Sequence, residues 1–528
     1  MYLLLLKNSG TNLRTDWKDS VWLGEMPAVR AEPNTHTHGK LQMARLRLLV
    51  LAFGLGLGSL ASARAAETKP NILLILTDNT GWGDWGAYGG GALRGAPSPR
   101  IDKLAEEGTR LLNFNTEPQC TPSRAALMTG RHAIRSGTQS VPIGTALYGL
   151  VPWEITLAET LSDAGYATAC FGKWHLGRTP GRWPTDRGFD EWYGIPNSTD
   201  ESVWMTPDAL TRFSVPGDVN LADSDKSWVM AGERGSQPKR HKLYDLNERR
   251  LIDAELTRRT IAFMTRSKSA GKPFFAYVPL TATHYPTLPH PDFVGKSGHG
   301  DYADMLVQTD HYVGQMLDAI NQLGIGKDTI VIFTADNGAE DPNVGDGQYS
   351  GWTGPWAGTY FTAMEGGLRT PFIIRWPGKV PAGKVSNEIV HVVDVFPTLA
   401  AFSGAKVPHD RAIDGVNMAA FLLGKRETSG REGFVIFVGD DLRAVKWRNW
   451  KVHFAWQETK LSPVERFSTV PKVVDLTRDP RETRQAAEPY NTWIQYPTTQ
   501  LVLDYKASLR KYPNVPLGAP DSYLPPSQ

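Results

Sequence analysis

The 528-residue sequence predicts an α/β fold: a large, mostly parallel sheet covered by helices on both faces, with a smaller C-terminal antiparallel sheet subdomain. Three observations predict it. Short, uninterrupted apolar runs alternate with longer stretches whose apolar residues recur every three or four positions, the signature of strands and crossover helices. Each apolar run ends in polar residues able to do chemistry, as open parallel sheets place their sites. After about residue 430 the alternation stops, and closely spaced strand-like runs replace it.

The first run, NILLILTD (71–78), is leucine-rich and closes on an acid, as expected of a strand buried on both faces. Ser98 and Pro99 then open a helix through SPRIDKLAEEG, with Gly108 as its stop. Further strands are expected at YATACF (166–171), KPFFAYVPL (272–280) and DTIVIFTAD (328–336), with helices around 249–267 and 303–323. Asp78-Asn79 follows the first strand, Lys173 and His175 the second, His284 the third and Asp336-Asn337 the fourth. These four polar clusters are expected to meet on one rim. GFVIFVGDDLRAVKWRNWKVHFAW reads as hairpin strands, and KVVDLTRDPRE as another strand and turn. The stretch 200–245 reads as polar and irregular, a candidate specificity insertion, and the tail from Pro513 as surface-hugging or mobile.

Fifty-seven basic residues against 55 acidic ones leave a formal charge of +2, which predicts no nucleic-acid or polyanion surface. Residues 43–66, MARLRLLVLAFGLGLGSLASARAA, combine two arginines, an apolar run and a small-x-small end. That pattern is a secretory signal, with cleavage expected after Ala65. The run is too short and glycine-rich for a membrane span, which needs about 20 residues. The expected organisation is therefore an upstream extension over 1–42, with Met43 as the true start, and a signal peptide over 43–65. A catalytic region follows over 66–430, then a C-terminal α+β subdomain and tail over 431–528. Export places the mature chain in a periplasm or outside the cell.

Two cysteines occur, Cys120 and Cys170. Cys170 ends the apolar YATAC run and reads as a buried strand residue, so separate roles rank above a bridge. Cys120 stands in CTPSRAALMTGR, where Pro122 and Ser123 favour a helix start. A helix N-terminus attracts anions, and Arg124 adds a planar cation suited to an oxyanion. A bare thiol there is expected to have a lowered pKa. Asp78, Asn79, Asp336 and Asn337 bring carboxylate and amide oxygens only, a donor set for Ca²⁺ or Mg²⁺. His132, His290 and Asp310 read as packing, loop and structural residues respectively.

The run C-T-P-S-R followed by A-A-L-M-T-G-R resembles the modification motif of type I sulfatases, whose cysteine becomes Cα-formylglycine. KPNILLILTDNTGWGDWGAYG, FGKWHLG, TATHYP, FTADNG, EGGLRTPFIIRWPG and VVDLTRDPRE resemble that family's other landmarks, so that the likeness spans roughly residues 68–490. The resemblance implies a sulfate-ester hydrolase of the alkaline phosphatase superfamily. One Ca²⁺ per chain would be held by Asp78, Asn79, Asp336, Asn337 and the modified Cys120. It implies that one hydroxyl of the hydrated aldehyde attacks sulfur and that the other, losing its proton, expels sulfate. By the same resemblance Arg124 steadies the nucleophile, Lys173 holds sulfate, His175 takes the proton and His284 assists the leaving oxygen. Implied partners are a sulfated small molecule or glycan and a formylglycine-generating maturation enzyme.

Two departures stand out. The family's first metal pair is commonly Asp-Asp, whereas this chain has Asp78-Asn79, and Tyr360 occupies a position that many members give to lysine. The alternatives are a phosphodiester or phosphonate monoester hydrolase on the same fold and a non-catalytic binder of sulfated glycans.

Overall fold

The computed structural model describes residues 69–142, 147–205, 226–342, 351–467, 469–484 and 490–526. The signal peptide and upstream extension expected over 1–65 lie outside the described residues.

An eleven-stranded sheet forms the body. Its strands are β1 (Asn71–Thr77), β2 (Thr109–Asn115), β3 (Ala167–Phe171), β4 (Glu191–Gly194), β5 (Trp228–Glu233) and β6 (Lys239–Leu243). They are followed by β7 (Phe274–Pro279), β8 (Thr329–Ala335), β9 (Arg369–Arg375), β10 (Lys384–Ser386) and β11 (Val390–His391). The spatial order is β10-β2-β9-β8-β1-β7-β3-β4-β5-β6, with β11 beside β2. The centre, β8-β1-β7-β3-β4, is parallel. Strand β9 runs antiparallel between β8 and β2, and β5 and β6 add an antiparallel hairpin at the far edge. The stretch expected to be irregular thus contains a hairpin over 228–243; residues 206–225 lie outside the described residues. Its alternation is masked by charge, because β6 reads KRHKL and is exposed over four of its five residues.

The apolar runs are continuous because both faces are covered. In β1, Ile72, Leu74 and Leu76 point into one core and Leu73 and Ile75 into the other, the two-residue period of a strand. Leu74 lies between Tyr277 of β7 and Ile332 of β8. On the first face sit α2 (Cys120–Thr129), α3 (Leu157–Asp163) and, through Phe396 and Leu399, the helix Val395–Ser403. On the second sit α1 (Pro99–Glu106), α4 (Leu246–Ser269) and α5 (Asp301–Gln322), through Ile101, Leu256, Phe263 and Met316. Truncating one of these leucines to alanine would cost about 2–5 kcal/mol. Asp310 accepts from the Arg100 and Ile101 backbone N–H groups at the start of α1, a structural role as expected.

A four-stranded antiparallel sheet follows: β12 (Gly433–Val438), β13 (Asp441–Trp447), β14 (Trp450–His453) and, after the two-residue strands β15 (Ala455–Trp456) and β16 (Glu465–Arg466), β17 (Lys472–Asp475). Val435, Phe437 and Val445 pack on Val502 and Tyr505 of the helix Gln495–Ser508. A buried ionic cluster ties this sheet to the body. Glu365 receives Lys446 at 2.6 Å, Lys451 at 2.9 Å and Arg369, while Glu482 receives His453 at 2.6 Å and the Glu365 backbone N–H at 2.6 Å. The tail hugs the surface: Val515 and Ala519 pack on Val151, and Arg182 meets Asp521 at 2.7 Å.

Candidate active site

Strands β8, β1, β7 and β3 are sheet neighbours running the same way, so their carboxyl ends present Asp336-Asn337, Asp78-Asn79, His284 and Lys173-His175 on one rim. The four polar clusters meet there as the sequence predicted.

Cys120 is the first residue of α2 and is buried. The helix forms because Pro122 suits a first turn, AALM are good helix formers, and Gly130 closes it in the left-handed region at φ 67°, donating its N–H to Ala126. Every residue of α2 is buried, so its N-terminus is fixed against the sheet rim. The Cys120 sulfur lies 3.6 Å from Asp78 Oδ1, 3.8 Å from Asn79 Oδ1 and 3.5 Å from the Tyr360 hydroxyl. Both cysteines are free.

The thiol contradicts one expectation. Burial pushes its pKa well above the usual range, with Lys173 opposing and Asp78 adding to the rise. Exposed helix-end effects of about 0.3–1 kcal/mol are outweighed by removing a thiolate from water beside two carboxylates. An unmodified Cys120 is therefore a poor nucleophile at neutral pH.

Arg124 lies fully buried between the two acids. Its Nε and Nη2 donate to Asp336 Oδ2 at 3.0 and 2.7 Å, Nη1 donates to the Lys173 carbonyl at 2.6 Å, and Nη2 lies 3.3 Å from Asp78. Lys173 donates to Asp78 Oδ2 at 2.7 Å. Burial alone would raise the Asp78 carboxyl, yet Lys173, His284 and Arg124 hold it well below the carboxylate range. Asp336 shifts upward, from burial and from the charge of Asp78. Asn79 adopts φ 57° and His175 φ 59°, left-handed conformations that cost about 1–3 kcal/mol and persist only where surrounding structure fixes them. Thr121 fixes the second by donating to the His175 carbonyl at 3.0 Å.

Burial, reinforced by Lys173 and Arg124, lowers the His175 pKa well below the usual value. Its Nδ1 is buried and has no hydrogen-bond partner among the described residues. His284 is oriented from α4: Asp253 accepts from the Thr281 and Ala282 N–H groups at 2.8 and 3.1 Å, and Arg249 donates to the His284 carbonyl at 2.8 Å. His284 Nδ1 pairs with the Tyr285 carbonyl at 2.6 Å, which assigns the proton to Nδ1 and leaves Nε2 for chemistry.

The donor set fits a hard divalent cation. Two carboxylates and two amide oxygens gather in a buried space, and Asn337 Oδ1 has no hydrogen-bond partner among the described residues. Leaving such an oxygen unpaired costs about 1–3 kcal/mol, which a bound cation would relieve. Ligand atoms of Asp78, Cys120 and His284 also lie within 4.8 Å of one another. A second buried cluster, Glu117, His132 and His391, meets the same distance. There His132 pairs with Glu117 at 2.9 Å, the packing role expected for it, and Arg431 and Lys446 add positive charge around His391.

Residues 70–405 match the family described as Sulfatase. The chain belongs to the sulfatase family. Residues 360–501 of this sulfatase also match the family described as N-sulphoglucosamine sulphohydrolase, C-terminal. Among its relatives is N-acetylgalactosamine-6-sulfatase of Canis lupus familiaris, 34% identical over 453 residues, covering 80% of this chain and 82% of the relative. Arylsulfatase A of Bos taurus is 35% identical over 453 residues, with 80% and 84% covered. The PsFucS1 sulfatase from Pseudoalteromonas sp. superimposes with a TM-score of 0.77 at 31% identity, covering 85% of this chain and 92% of the other. The sulfatase is thus a sulfuric ester hydrolase.

Three features escaped the sequence reading. Asp84 pins the loop after the Asp78-Asn79 pair, accepting from Gly81 N–H at 2.7 Å, Trp352 N–H at 2.8 Å and the Tyr302 hydroxyl at 2.8 Å. Its signal was present in GWGDWG, where an acid between tryptophans and glycines implies a loop anchor. Glu340 and Lys460 stand beside Tyr360; for Lys460 the sequence holds no signal, because 100 residues separate the two. Among the described residues no helix is long and apolar enough to cross a membrane.

Proposed function

We propose that this sulfatase cleaves its sulfate ester with a formylglycine made from Cys120 and a calcium ion held by Asp78, Asn79, Asp336, Asn337 and residue 120. One observation carries the reading. The side chain of residue 120 points at the Asp78 and Asn79 oxygens from 3.6 and 3.8 Å, in a pocket whose bare thiol is held protonated. A converted aldehyde, once hydrated, would supply a hydroxyl nucleophile and, through its second hydroxyl, an internal route to sulfate release, and the cation would polarise the sulfuryl group.

The chain's own groups support the remaining roles. Arg124 sets the spacing of Asp78 and Asp336 and brings positive charge to residue 120. Lys173 keeps Asp78 ionised and offers its remaining N–H groups to a sulfate oxygen. His175, neutral with an unpartnered Nδ1, can accept the proton whose loss releases sulfate. His284, its Nδ1–H fixed on the Tyr285 carbonyl, can deliver a proton from Nε2 to the departing oxygen when the ring carries a proton on both nitrogens. The Tyr360 hydroxyl, 3.5 Å from the sulfur, adds a donor beside the nucleophile.

The sulfated-sugar relatives support a sulfated glycan or a related sulfate ester as substrate. The segment 43–66 supports export to a periplasm or the exterior, which N-terminal sequencing of the mature protein would check. Mass spectrometry of the Cys120 peptide, from protein made in its native host, tests the mechanism. An aldehyde mass is expected, and an unmodified thiol in active enzyme would overturn it.

A further inference from the structure

We infer that Lys460, carried by the C-terminal part of the chain, is a substrate-binding residue that pairs with the sulfate group beside Tyr360. The inference rests on the pocket around residue 120 being the reaction site. The Lys460 ammonium lies 5.6 Å from the centre of the Tyr360 ring, and the hydroxyl of that ring lies 3.5 Å from the Cys120 sulfur. The same ammonium pairs with Glu340 Oε1 at 2.6 Å. Glu340 follows Asp336-Asn337 by a few residues, so the pair bridges the C-terminal part to the pocket wall.

The charge arrangement makes this cation useful. Inside the pocket Arg124 and Lys173 face Asp336 and Asp78, two cations against two carboxylates. Tyr360 contributes a hydroxyl whose ionisation is pushed far above neutral pH by burial and by the Cys120 side chain, so it brings no charge. The calcium ion of the proposed function would meet the sulfuryl group on the Asp78 and Asp336 side, and Lys460, beside the Tyr360 ring, is a further cation on the other.

Its surroundings fit a residue that changes partner. The Lys460 and Glu340 side chains are 21% and 19% exposed, so water reaches both. The loop that bears Lys460 is tied down: Gln457 Nε2 donates to the Lys460 and Ser462 carbonyls at 3.2 and 3.0 Å, and Thr459 and Ser462 hydroxyls meet at 3.1 Å. Only the flexible four-carbon stem needs to swing. Glu340 would hold the ammonium until sulfate displaces it, and so acts as its competitor.

A competitor and a tether predict opposite outcomes on mutation. The probes are inorganic sulfate as inhibitor and a simple aryl sulfate as substrate, on the matured full-length enzyme. Lys460→Met is expected to raise the sulfate inhibition constant and KM roughly tenfold, the scale of one hydrogen bond to a charged group, with Lys460→Arg retaining most binding. Glu340→Gln is expected to lower both constants. Both variants shifting in the same direction would make the pair a structural tether and overturn the inference. A Lys460→Met constant within about twofold of the parent's would overturn it as well. So would an effect confined to substrates carrying a second anion, since it would place Lys460 at a remote subsite. Turnover and the Cys120 peptide mass of the parent, measured first, separate failure of the formylglycine reading from failure of this one.

Discussion

Lys173 and Asp78 meet across 2.7 Å with both side chains fully buried, although β7 separates the strands from which they extend. Each is the other's main charge partner: Lys173 leads the interactions that keep Asp78 ionised against burial, and Asp78 leads those that keep Lys173 protonated. Lys173→Met is expected to leave a buried carboxylate short of charge, costing about 3–5 kcal/mol of stability. The loss of kcat/KM should reach about 10²–10³-fold, as for removal of a preorganised donor. Denaturant titration and steady-state kinetics on one preparation would check both.

Tyr360→Phe removes only the hydroxyl beside the Cys120 sulfur. Turnover should fall about 10- to 100-fold, since a hydrogen bond to a charged group is worth about 1.5–3 kcal/mol. Melting temperature should move little, because the ring keeps its packing on Phe361. Unchanged kinetics would place the hydroxyl outside the reaction.

Calcium added to chelated protein should raise the melting temperature in a dose-dependent way. At a hundred times its Kd the gain is about 2.7 kcal/mol. Asp336→Asn should abolish the shift. Calorimetry with and without calcium reads the effect independently of turnover.

Glu365→Gln tests the junction to the C-terminal sheet. The carboxylate is held ionised, against burial, by Lys446, Lys451 and Arg369. Its neutralisation would remove the buried carboxylate that Lys446, Lys451 and Arg369 share, and a loss of about 3–5 kcal/mol is expected. Because Tyr360 lies five residues upstream, KM for sulfate esters should rise in the same variant.

Asp84 predicts a pH dependence of stability. Burial raises its pKa to about 7 from a usual 3.8. Between those values the folded chain holds a proton that the unfolded chain has released, so this group's contribution falls as pH rises from about 4 to about 7 and is level above. Asp84→Asn should flatten that part of the melting-temperature profile, and an unaltered slope would refute the assignment.

The central strands were legible because their signal is local. NILLILTD needs only its own apolar run to announce a strand, and β1, β3, β7 and β8 fall within one or two residues of the expected bounds. The candidate-site clusters Asp78-Asn79, Lys173-His175, His284 and Asp336-Asn337 were legible for the same reason, each following its strand. Strand direction was not: β9 carries an apolar run much like β8, yet runs antiparallel to it. Charged KRHKL hid β6 for a related cause, since an edge strand needs little apolar surface.

By itself the sequence determined the strand-and-helix alternation, the family motifs and the oxygen-rich donor set that follows the strands. Tertiary structure alone decided that β8, β1, β7 and β3 stand side by side, that burial raises the pKa of the Cys120 thiol, and that Lys460 lies beside Tyr360. The physical reason is range. Periodicity and capping act over a few residues, whereas desolvation and Coulomb interactions depend on which distant segments the packed core brings together.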